Sequence, residues 1–156
     1  MYARSFTQGF KIFEISDVVL KDLSHVMTES IVGARNNRRV SAIYAGPTSG
    51  FEIIHGLVDR IMTLAEICPD ADYIKNSQQG GQETYRVVRE DLFYTIKESD
   101  DQMYFPGRAA DVLVKRGKGA EWKKVGSFGI IHPAVLKGFD ISYPASCLEM
   151  ELEELI

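Results

Sequence analysis

Arg108 follows Phe105-Pro106-Gly107, where Pro fixes one backbone dihedral and Gly accepts a positive one, so its guanidinium leaves a turn at the start of a strand. A planar fork of donors held there can clamp a phosphate or carboxylate, and the ordinary alternative is an ion pair with Glu14, Asp111 or Glu149. His55 is placed to act as a general base, against the plainer reading of a partly exposed helix residue. His132 precedes Pro133 at a strand end and reads as a group that bonds a backbone carbonyl to fix the turn. Lys115, Arg116, Lys118, Lys123 and Lys124 surround Trp122 at a hairpin tip, a pattern that suits RNA contact but is more often simply solvated. Arg35, Arg38 and Arg39 form a second basic cluster with the same ambiguity. There is no GxxxxGK[ST], GxGxxG after a strand, HExxH or GxSxG, so the common phosphate-binding, zinc-protease and hydrolase devices are missing. Cys68 and Cys147 lie in apolar surroundings without metal-ligand spacing and read as free thiols.

The elements that position these groups centre on Met103 to Leu136. Ala110, Val112 and Val114 alternate as one buried face of a strand, and Val125 to Ile131 reads as its partner across Gly117-Lys118-Gly119. Pro133 suits the first turn of a short helix that Gly138 can end. Upstream, residues 1–9 read as linker or chain edge. Phe10 to Leu20 is too densely apolar for a strand with one wet face, which predicts a central strand. Lys21 to Arg39 reads as a loop carrying the turn Gly33-Ala34-Arg35-Asn36-Asn37, and Val40 to Tyr44 as a second short strand.

One long helix follows. Ser49 and Glu52 have capping-box spacing, and Phe51, Ile54, Leu57, Val58, Ile61, Leu64, Ala65 and Cys68 share one face up to a stop at Pro69. Gly56 inside it suggests that another backbone passes close. Asp70 to Glu83 reads as a surface insertion around Gln78-Gln79-Gly80-Gly81-Gln82, then Tyr85 to Val88 and Leu92 to Ile96 as strands. Cys147 to Glu153 has the clearest alternation, with Leu148, Met150 and Leu152 inward and glutamates outward.

With 156 residues, 45% hydrophobic and 26% charged, the chain has the makeup of a globular domain able to bury about 68–70% of its unfolded surface. A net charge of −4 gives no global attraction to nucleic acid or anionic membrane. The sum is an α+β fold, an antiparallel β-sheet flanked by helices.

In order, Phe10 to Val19, Gly33 to Asn36, Gly50-Phe51-Glu52-Ile53-Ile54-His55-Gly56-Leu57 onward to Met62, Tyr104 to Ala110 and Gly126 to Pro133 resemble the carboxy-terminal part of the phenylalanyl-tRNA synthetase β subunit of archaeal and eukaryotic cytosolic type. The likeness runs from about Phe10 to Ile156, with two departures: the segment 70–91 is longer than the family's connection there, and the chain starts partway through that subunit, downstream of its editing and other domains. The resemblance implies that residues 10–156 are a core module with a degenerate class II aminoacyl-tRNA synthetase catalytic-like fold. It implies a cytoplasmic location, an α subunit as partner in an (αβ)₂ assembly, tRNA contact through the complex, and neither membrane nor DNA as partner. ATP and magnesium would belong to the α-subunit active site, with no cofactor, metal or catalytic residue in this chain.

The residues agree with such a loss. Class II catalysis stabilises a transferring phosphoryl group with positioned cations. Phe10 to Val19 carries Lys11 and Glu14 but no arginine, and Glu149 to Glu154 would repel a triphosphate. On this view Phe105, Pro106, Gly107, Arg108, His55 and His132 are structural or interface residues. Two other readings stand beside it: an independent small-molecule or nucleotide-binding enzyme domain using Arg108, His55 and His132, and an RNA-contact module using the hairpin Lys115 to Lys124.

Overall fold

The computed structural model describes residues 9–22, 33–70, 91–117 and 119–156. Its strands are β1 (Phe10–Lys21), β2 (Ala34–Ala45), β3 (Cys68–Pro69), β4 (Leu92–Glu98), β5 (Tyr104–Arg116), β6 (Lys123–Ile131) and β7 (Ala145–Glu151), with helices α1 (Phe51–Leu64) and α2 (Pro133–Gly138). The strands form one sheet in the order β1-β2-β7-β6-β5-β4-β3. All neighbours are antiparallel except β3 and β4. The architecture is α+β.

Local pattern explains most of it. On β5, Ala110, Val112 and Val114 are buried, and on β7 Leu148 and Met150 are buried while Glu149 is exposed, because successive strand side chains take opposite faces. Ile54, Val58 and Met62 recur every fourth residue on α1 and close the core over β2, β6 and β7. The opposite face has a smaller apolar cluster at one end, where Leu136 of α2 packs with Ala45, Ile131 and Ala145.

Several expectations need correction. Among the described residues Phe10 to Leu20 stands at the edge of the sheet rather than at its centre, and most of its side chains are exposed. Dense apolarity shows that a strand is to be covered on both faces, not where it stands in the sheet order. The segment 34–39 is strand rather than loop, because Arg35 and Arg38 find Asp22 and Asp17 alongside, which gives polar residues a place on an edge pair. The capping box is not formed. Gly50 is the N-cap at φ 65°, with no side-chain cap bond, and a Cβ there would overlap the Tyr44 ring.

Gly56 is exposed with nothing close to it, so no second backbone requires it. The helix ends at Leu64, and Glu66 turns the chain at φ 60° before Pro69, which instead pairs in β3 with Tyr94. Phe105-Pro106-Gly107-Arg108 is a bulge inside β5. Tyr104 faces Ile131 and Ala109 faces Gly129, so four residues stand opposite Ile130 alone, with Gly107 at φ 69°. The insertion around Gln78 to Gln82 and the strand at Tyr85 to Val88 lie outside the described residues. The β5–β6 hairpin, β4, the short helix and β7 form as expected.

Candidate functional site

Opposite α1, the sheet's other face carries a shallow depression of about 310 Å³ bounded by Arg39, Lys124, Gly126, Ser127, Glu149 and Glu151. Arg39 on β2 stands directly across from Glu151 and diagonal to Glu149 on β7. Its Nη1 donates to Glu149 Oε1 at 2.6 Å and its Nη2 to Glu151 Oε1 at 3.3 Å, while Nε donates to Oδ1 of the buried Asn37 at 3.2 Å. Lys124 Nζ lies 2.8 Å from Asp111 Oδ1, an ion pair without hydrogen-bond alignment. Both cations of the depression therefore already face carboxylates of the same chain. A triphosphate needs cations whose charge is still available, and it would meet two glutamates here.

Beside the depression Tyr104, Ser127 and Cys147 converge. The Tyr104 hydroxyl is 3.2 Å from Ser127 Oγ and 4.0 Å from Cys147 Sγ. Burial, helped by the neighbouring Cys147, pushes the tyrosine hydroxyl above its ordinary range. Burial also pushes the Cys147 thiol up to about 11. Such a thiol holds its proton at neutral pH and is a packing group rather than a nucleophile. Cys68 and Cys147 are not joined in a disulfide.

None of Arg108, His55 and His132 lines the depression. His55 is stacked on Phe128 with ring centroids 5.4 Å apart and sits 6.1 Å from the Phe51 ring, with Nε2 3.9 Å from Asp59. His132 fixes the turn after β6, but as an acceptor: its Nδ1 receives the Ala134 N–H at 3.1 Å and caps α2. Its ring stacks on Phe105 at 6.2 Å. Arg108 is exposed on the bulge. Two of its expected partners are engaged elsewhere, Asp111 with Lys124 and Glu149 with Arg39.

Lys118 of the basic hairpin lies outside the described residues, and Lys115, Arg116, Lys123 and Lys124 each face an acceptor of the same chain. Lys115 sits 2.8 Å from Asp70 and 4.2 Å above the Trp122 ring, Lys123 is 2.7 Å from Glu154, and Arg116 donates to the Ile156 carbonyl at 3.1 Å. In the second cluster Arg35 faces Asp22 at 3.3 Å and Arg38 faces Asp17 at 2.7 Å. The Arg38 hydrogen bond holds the Asp17 carboxyl below its ordinary range. The Arg39–Glu149–Glu151 node was not legible in the sequence. Its signal was the charge alternation of β7, which needed a cationic strand beside it. Among the described residues no group of three or more His, Cys, Asp or Glu side chains could hold a metal ion, and no helix is long and apolar enough to cross a membrane.

The sequence that folds into this sheet matches the family model for the phenylalanyl tRNA synthetase beta chain CLM domain over residues 2–152. The chain belongs to that family. Among curated proteins it is 42% identical over 151 residues to the cytoplasmic phenylalanine–tRNA ligase beta subunit of Arabidopsis thaliana, covering 97% of this chain and 22% of that protein. It is 38% identical over 149 residues to the beta subunit of Homo sapiens, covering 96% and 20%. With that of Saccharomyces cerevisiae it shares 37% over 151 residues, covering 96% and 22%. The chain thus spans about a fifth of the length of these relatives.

Proposed function

We propose that this chain is the non-catalytic, class II synthetase-like module of the beta subunit of a phenylalanine–tRNA ligase. It supports ATP-dependent attachment of phenylalanine to tRNA by packing against the catalytic α subunit in an (αβ)₂ complex, and ATP and magnesium act in the α subunit's own site. The observation that carries the reading is the closed charge balance of the open sheet face. Arg39 is forked between Glu149 and Glu151, and Lys124 is held by Asp111, so both cations that line the depression already face carboxylates and are poorly placed to draw a phosphoryl group.

The test has two arms. Co-elution with the α subunit at micromolar concentration is expected, and clean separation counts against the reading. Calorimetric titration of this chain with ATP or phenylalanine is expected to give no saturable heat. Saturable binding would instead favour an independent nucleotide-binding domain, a reading that has lost support because His55 and His132 are occupied in stacking and capping. RNA contact through the hairpin has likewise lost support, since Lys115, Lys123 and Lys124 all face carboxylates.

A further inference from the structure

We draw no further inference here: the strongest candidate, the apolar surface patch of Phe13, Ile15 and Val19 on strand β1, is an exposed face for which nothing in the structure shows what covers it.

Discussion

Arg39 and Glu149 stand 2.6 Å apart across the β2–β7 pair although 110 residues separate them in the chain, and Glu151 holds the other arm of the same guanidinium. This node shapes the open face of the sheet more than any residue of the Pro-Gly-Arg bulge does. Replacing Arg39 by Ala leaves two neighbouring carboxylates without their counter-charge. Because the site is partly solvated, the expected cost is about 1 kcal/mol. Urea unfolding in low and high salt checks it: the substitution should cost more in low salt, and equal loss in both would mean that packing rather than charge is at stake.

Gly50, not Ser49, starts α1. Ala at position 50 must take a left-handed conformation and overlap the Tyr44 ring, which should cost on the order of 1–3 kcal/mol, whereas Ser49→Ala should stay within about 0.5 kcal/mol. Paired thermal melts decide it, and a large loss at Ser49 would restore the capping box.

His132→Ala removes the acceptor at the start of α2 and should lower stability by about 1 kcal/mol, while His132→Asn retains a capping oxygen and recovers most of it. Equal losses in the two variants, measured by denaturant midpoint, would show that stacking on Phe105 matters more than the cap.

The buried thiol makes stability depend on alkaline pH. Cys147 has an ordinary value of 9.0 and is raised to about 11 in the fold, so between those values the unfolded chain has lost a proton that the folded chain keeps. Stability is full below about pH 9 and falls as pH rises towards 11, by on the order of 2 kcal/mol. The raised Tyr104 hydroxyl adds in the same direction. Urea midpoints at pH 8 and pH 10.5 test the sign. A Cys147→Ala variant should lose part of the slope, and an unchanged slope would assign the effect elsewhere.

The sequence by itself determined what depends on neighbours along the chain. The alternation of Leu148 and Met150 with glutamates and the spacing of Ile54 and Val58 are local periodicities that took the predicted form, whereas Met62, outside the expected face, is buried and Leu64, expected on it, is exposed. The ordered blocks from Phe10 to Pro133 also carried the family. Only the tertiary structure decided which strand stands at the edge and which cations are spent. Both depend on residues brought together from far apart, as Lys115 is to Asp70 across 45 positions. Period two says that β1 has two apolar faces, but sheet order decides whether anything lies beside it, and β7 took the place next to β2. An arginine's role is likewise set by the charge that reaches it first. At Arg39 that was a glutamate of β7, and at Arg108 the bulge turned the side chain to solvent before any carboxylate met it.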